Sequence, residues 1–172
     1  AAFAAAWLTR TGRTSRERLA MRFYCLAAVN PVADAPGKLR VATEADADLL
    51  TGWFQGFSKD VFGEDVDTDE ARKRASTRIG DGDLYVWEDG CVVSMAAKAR
   101  PTTHGMTVNH VYTPPDCRKR GYGTACVAAL SQALLNEGRR FCCLYADVAN
   151  PTSNGIYQRI GYEPVCDCVE YV

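Results

Sequence analysis

Histidine is scarce in this sequence: His104 and His110 are the only two. Its 8 cysteines include no Cys-x-x-Cys pair. A zinc site draws its ligands from these residue types at close spacing, so a metal is poorly served and none is expected. A charge excess is also missing, because 20 Lys and Arg stand against 21 Asp and Glu for a net charge of -1. General nucleic-acid binders need a basic surplus, so nucleic acid is not an expected partner and any positive site here is local. No apolar run reaches the roughly 20 residues a membrane helix requires, so no membrane partner is expected. No internal repeat or low-complexity segment occurs. The Gly-Lys-Ser/Thr ending of a nucleotide phosphate loop is lacking too.

What is present suits a folded domain. The chain has 172 residues, 47% of them apolar, enough for a packed core. Cys142 and Cys143 are adjacent, Cys166 and Cys168 are two apart, and Cys25, Cys91, Cys117 and Cys126 stand singly. Neighbours along a strand face opposite ways, so this spacing reads as reduced thiols used as small hydrophobes in a cytoplasmic protein. The alanine-rich start, Ala1 to Leu8, has its positive charges after it, at Arg10, Arg13, Arg16 and Arg18. It therefore reads as a helix, not as a secretory leader.

The helix is expected over Ala2–Thr11, with Thr14 or Ser15 capping a short second one through Leu19. Met21 to Val29 reads as a strand, and Pro36-Gly37 marks a boundary between an extension, 1–38, and the main domain, 39–172. Leu39 to Ala42 is a short strand. Thr43 and Asp46 then open a helix as a partial capping box, whose stripe of Leu49, Leu50, Trp53, Phe54 and Phe57 points to a core. An acidic loop, Lys59 to Thr68, leads to a helix over Asp69–Ile79. Asp89-Gly90 joins two strands in a hairpin, and Met106 to Thr113 is the next strand. A helix from Ala125 to Glu137, a strand over Phe141–Asp147, a short helix from Pro151 to Ile160 and a last strand, Tyr162 to Tyr171, complete the chain. This order gives an α+β fold with a mixed, mostly antiparallel sheet and flanking helices.

The stretch from Asn109 to Thr124 carries the chemistry. A proline-stopped strand runs into Arg118-Lys119-Arg120-Gly121-Tyr122-Gly123-Thr124 and then into a helix. Glycines let the backbone approach a ligand. The first N–H groups of a helix lack internal partners, and the dipole there favours anions. The composition suits a pyrophosphate.

Arg118-Lys119-Arg120-Gly121-Tyr122-Gly123 resembles the Gln/Arg-x-x-Gly-x-Gly/Ala motif of the GCN5-related N-acetyltransferase (GNAT) superfamily. Asn150, Tyr157, Gly161 and Tyr162 resemble its second motif. The resemblance covers about residues 39–172, and the first 38 are similar to the tail of the degenerate amino-terminal half of some tandem relatives. It implies the GNAT acyl-CoA N-acyltransferase fold and acetyl-CoA as co-substrate, with direct attack of a primary amine on the thioester. The diphosphate would lie on Arg118, Lys119, Arg120, Gly121, Tyr122, Gly123 and Thr124. The pantetheine arm would pair with the backbones of Val111, Tyr112 and Thr113, where that strand splays from Phe141–Asp147. Asn150 would bond the arm, with Ser153 beside it, and Tyr157 would be the general acid. On its own, Tyr122 reads as packing, and Lys119 and Arg120 as solvated charges.

The general base is where the sequence departs from the family. Thr107 and Asn109 occupy the usual positions, and strand alternation turns His110 to the other face unless a bulge intervenes. Proton removal through water and Glu64, Asp147 or Glu170 stays open. The missing base motivates a second reading, a non-catalytic acyl-CoA-binding sensor or degenerate domain. The acidic loop hints at a cationic acceptor, but small molecule and peptide amine both remain open, as does a homodimer.

Overall fold

The computed structural model describes residues 2–12 and 16–171. Its strands are β1 (Glu17–Leu26), β2 (Lys38–Val41), β3 (Leu84–Asp89), β4 (Cys91–Ala99), β5 (Gly105–Tyr112), β6 (Phe141–Asp147) and β7 (Glu163–Tyr171). Its helices are α1 (Ala2–Thr11), α2 (Ala47–Phe62), α3 (Thr68–Gly80), α4 (Tyr122–Asn136) and α5 (Pro151–Ile160). The strands form one sheet in the order β2-β3-β4-β5-β6-β1-β7. Among the described residues only the β5–β6 contact is parallel; every other neighbouring pair is antiparallel. The fold is α+β, as the element order implies.

Local chemistry explains the element ends. Asp46 accepts from the Thr43 N–H at 2.8 Å, and both of its oxygens bind the Arg40 guanidinium at 2.7 and 2.9 Å. That network joins β2 to the short 3-10 turn Glu44–Asp46 that leads into α2. Asp67 caps α3 by accepting from the Asp69 N–H at 2.8 Å. The β3–β4 hairpin turns at Gly90, whose φ of 69° is left-handed, a conformation glycine adopts without steric cost.

Each face of the sheet has its own core. Toward α4 and α5 lie Tyr24, Leu26, Val108, Leu130, Leu134, Leu144, Ile160 and Tyr162. Toward α2 and α3 lie Leu50, Trp53, Phe54, Ala71, Ala75, Val86, Met95 and Ala97. The aromatic stripe of α2 is core at Trp53 and Phe54, but Leu49 is 44% exposed and is not part of it.

Several boundaries differ from the sequence reading. The short helix through Leu19 is absent: Arg18 and Leu19 lie in β1, while Thr14 and Ser15 fall outside the described residues. β1 is a strand there because both of its edges are paired, with Arg22 bound to Asp167 of β7 at 2.6 and 2.9 Å. Helix α2 runs on to Phe62, into the expected loop, and α4 starts at Tyr122 instead of Ala125.

All 8 cysteines are free thiols. Burial pushes the ionisation of Cys126 and Cys142 up to about 12, so both are neutral at physiological pH and poor nucleophiles.

Candidate active site

Gly121, at φ 84°, turns the chain into α4 and leaves its start without a side-chain cap. The first bond to that turn is Ala125 N–H to Gly121 C=O at 2.9 Å, so the N–H groups of Tyr122, Gly123 and Thr124 have no intrahelical acceptor. A Cβ built on Gly123 would lie 3.0 Å from Thr113 Oγ1. The helix therefore starts against the end of the strand segment, where Thr113 Oγ1 also meets Ser94 Oγ at 2.9 Å.

The side chains of the loop separate into two groups. Lys119 and Arg120 are exposed beside the helix start. Arg118 is committed to the protein: its Nη2 binds Asp60 of α2 and its Nε donates to the Thr113 carbonyl at 2.9 Å. The Tyr122 ring is buried, and its hydroxyl donates to Asp89 Oδ2 at 2.6 Å. Tyr122 thus offers this site a backbone N–H and no side chain.

Strand β5 accompanies β6 only briefly. The register runs Gly105–Phe141, Met106–Cys142 and Thr107–Cys143, and no further pair follows. Beyond Thr107 the β6-facing edge of β5 lacks a strand partner among the described residues. The side chains of Val111 and Tyr112 pack inward, Tyr112 with its ring 6.1 Å from Trp53. The Tyr112 carbonyl accepts from Ser94 Oγ at 3.2 Å, and the Thr113 carbonyl is taken by Arg118.

A bulge decides where His110 points. Ala97 pairs with Asn109 and Met95 with Tyr112, so β5 spends one more residue than β4 over this span. His110 takes a φ of 46°. Its ring lies 5.1 Å from both Phe54 and Phe57, on the α2/α3 side. Simple alternation would have turned it the other way; the inserted residue reverses it. Burial, helped by Arg78, Arg74 and Arg100, pushes the His110 ionisation down to about 4. His110 Nδ1 and Asn109 Oδ1 are buried without a partner among the described residues. Thr107 is buried with Oγ1 3.4 Å from Cys143 Sγ. A cavity of about 460 Å³ lies between His110 and Phe54 on one side and, on the other, the α3 face from Glu70 to Arg78 with Asp81 just past the helix.

On the opposite face, Asn150 caps α5 by accepting from the Ser153 N–H at 3.0 Å. Its Oδ1 is thereby occupied, which leaves its Nδ2 to meet a ligand. Asn154, which the sequence reading passed over, donates to the carbonyls of Asp147 and Asn150 at 2.8 and 2.6 Å and accepts from the Tyr24 hydroxyl at 2.6 Å. Asn154 fixes α5 to the ends of β6 and β1; its place inside the Asn150–Tyr162 motif was the available signal. Tyr157 is buried among Tyr24 and Tyr162, with ring centroids at 6.3 and 6.0 Å. Its hydroxyl has no hydrogen bond among the described residues, and burial pushes its ionisation up to about 12.

The acidic residues are largely spent inside the chain. Glu64 and Glu170 bind Arg18 at 2.7 and 3.2 Å, and Asp147 accepts from the Ala149 N–H at 2.8 Å. Asp65 binds Lys59 at 3.0 Å and Glu70 binds Arg74 at 2.9 Å.

Comparison with known proteins bears on the fold. Residues 90–171 match the family model described as FR47-like protein. No curated protein matches the sequence. Among solved structures, a GNAT-family acetyltransferase from Colwellia psychrerythraea superposes with a TM-score of 0.70 at 11% identity, covering 97% of this chain and 59% of that one. A GCN5-related N-acetyltransferase from Sphaerobacter thermophilus gives 0.70 at 13%, covering 98% and 55%. A predicted acetyltransferase from Clostridium acetobutylicum, crystallised with acetyl-CoA, gives 0.58 at 20%, covering 74% and 90%. The chain thus spans little more than half the length of the first two.

Proposed function

The resemblance to the GCN5-related N-acetyltransferase superfamily holds, in the fold of the whole chain and in the FR47-like match of residues 90–171, and from it we propose an acetyl-CoA-dependent N-acetyltransferase acting on a primary amine. The observation that carries this reading is the parting of β5 from β6 after Thr107 and Cys143, next to a helix start with free N–H groups. The residues fit an acyl-CoA in two ways: the uncapped start of α4 and the contact at Gly123 that any side chain would crowd.

Acetyl-CoA supplies an activated acyl carbon and a thiol leaving group. The backbone N–H groups of Tyr122, Gly123 and Thr124 hold the diphosphate, with Lys119 and Arg120 adding charge. The strand segment Val111–Thr113 holds the arm as an added strand would, through the backbone groups left once Ser94 and Arg118 have taken the Tyr112 and Thr113 carbonyls, with Asn150 Nδ2 on the other side. The His110 ring lines the cavity and stays neutral, so it packs beside the acceptor amine without repelling it and helps to orient it. Tyr157 keeps its proton at neutral pH and donates it to the leaving sulfur, and the proton lost from the attacking amine restores the phenol, so that the net transfer is from amine to thiol. Burial raises the phenol above its usual range, and the same dry surroundings disfavour a bare thiolate, so the transfer remains matched.

The test uses purified protein, acetyl-CoA and a panel of amines. Turnover is expected, with Tyr157→Phe lowering kcat about 100-fold and leaving acetyl-CoA affinity by calorimetry unchanged. A wild-type rate in Tyr157→Phe would sink the general-acid role. Tight CoA binding without turnover of any amine would establish the sensor reading instead.

A further inference from the structure

The cavity beside His110 has one wall built from α3. Lys73, Arg74 and Arg78 line it, against Glu70 and Asp81, so its cations outnumber its carboxylates. Glu70 is already bonded to Arg74 at 2.9 Å. Arg78 is half-buried and holds one long bond, 3.3 Å, to the Lys98 carbonyl, with no carboxylate in ion-pair contact among the described residues. Burial works most against its charge and Arg100 adds to that, while Asp83 and Asp81 favour the charge from outside ion-pair contact. A half-buried guanidinium with no carboxylate in contact gains from an anion that arrives to pair with it. Arg100 adds to the field at the same place, since with Arg74 and Arg78 it disfavours a proton on His110.

We infer that the acceptor is a small amine carrying an acidic group, and that the group pairs with Arg78 while the amine meets His110; this rests on the acetyl-transfer reading above. Guanidinium matches the planar fork of a carboxylate and also takes phosphate. A volume of about 460 Å³ holds a small molecule, and Phe54 gives its carbon frame an apolar contact. A polycation would instead meet like charges. The acidic loop offers it little, because Asp60, Glu64 and Asp65 are paired with Arg118, Arg18 and Lys59. The positive wall also helps the chemistry: it lowers the ionisation of the incoming ammonium, so more of it is the neutral nucleophile. In the reaction the nitrogen–carbon bond of the amide forms, the carbon–sulfur bond breaks, and one amine proton ends on the CoA thiol.

The test compares acceptors in pairs with acetyl-CoA: amino acids against their amides, phosphoethanolamine against ethanolamine, and polyamines such as spermidine. Acidic acceptors are expected to exceed their neutral counterparts by about tenfold or more in kcat/KM, the worth of one charge-assisted contact. The amino-acid and phosphate arms show which acid is preferred, and preference for either supports the inference. Arg78→Gln is expected to raise KM for acidic acceptors by about tenfold while KM for acetyl-CoA stays the same. Lys73→Gln, on the exposed part of the helix, gives a smaller rise in the same direction and serves if Arg78→Gln does not fold. Amides or polyamines used as well as the acids would overturn the inference and leave the transferase standing. No turnover in any arm would overturn the transferase and the inference together.

Discussion

Burial between the rings of Phe54 and Phe57 keeps the His110 imidazole neutral, with ionisation down at about 4. In the unfolded chain the group titrates near its reference value of about 6.5. Between those values the unfolded chain binds the proton and the folded one does not, so stability falls as pH drops from about 6.5 to about 4. The shift corresponds to a loss on the order of 3 kcal/mol. Urea midpoints measured at pH 7, 5.5 and 4.5 should therefore decline in the wild type and decline less in His110→Phe; an equal decline in both would remove the buried neutral histidine as the cause. The Asp46 carboxylate, held down at about 2 by Arg40, contributes stability above about 3.8 that is lost only as pH falls toward 2, so it lies outside this window. Alternation alone turns His110 the wrong way and the bulge reverses it, and the sequence carries a hint of this. Met106 and Val108 are two apart and face the α4 side, and the next residue on that side is Val111, three further on. That slip in period is the trace of the bulge. The placement of Tyr157 in a short helix was legible, because Asn150-Pro151 opens that helix and Gly161 closes it.

At the scale of elements, the loop from Arg118 and the helix after it were readable because glycine, basic residues and a following apolar helix are local signals. The start of α4 was misjudged by three residues, since Gly121 alone makes the turn and Tyr122 to Thr124 already belong to the helix. The role of Arg118 was not readable: its partner Asp60 lies 58 residues away, and only the packing of α2 against the loop brings them together. With Arg118 occupied, the burden on the backbone N–H groups grows. Gly123→Asp would place a carboxylate where those groups point and push against Thr113 Oγ1. Acetyl-CoA affinity is expected to fall by at least about tenfold, from the lost anion site and the added repulsion, with little change in melting temperature. Calorimetry gives the answer directly, and unchanged affinity would remove the α4 start from the binding site.

Across the whole molecule, the piece that sequence order hides is β1. The elements from β2 onward can be ordered along the chain from hairpin signals and a strand-helix-strand crossover, but nothing local announces that residues 17–26 lie between β6 and β7. The pairing is carried by contacts such as Arg22 with Asp167 and Phe23 against Tyr145, which join segments more than a hundred residues apart. The consequence is structural for the carboxy-terminal part as well. The family match runs through β7, yet β1 is the only strand that β7 pairs with among the described residues. A chain shortened to 39–172 would lose β1 entirely, leaving β6 with a bare edge and β7 with no ladder at all. It would also lose Tyr24 and Leu26, which are 0% and 1% exposed and worth about 2 to 3 kcal/mol each in burial. Tyr24 takes with it the hydrogen bond to Asn154 that holds the start of α5, and one of the two rings against Tyr157. Set against a total stability of about 5–15 kcal/mol, these losses should abolish cooperative folding. Circular dichroism melts of the full and shortened chains compare the two cases. A sharp transition near the parent temperature in 39–172 would mean that β7 finds another partner and that β1 is dispensable; a broad or absent one is expected, because the strand that completes this sheet comes from the segment that reads most like an extension.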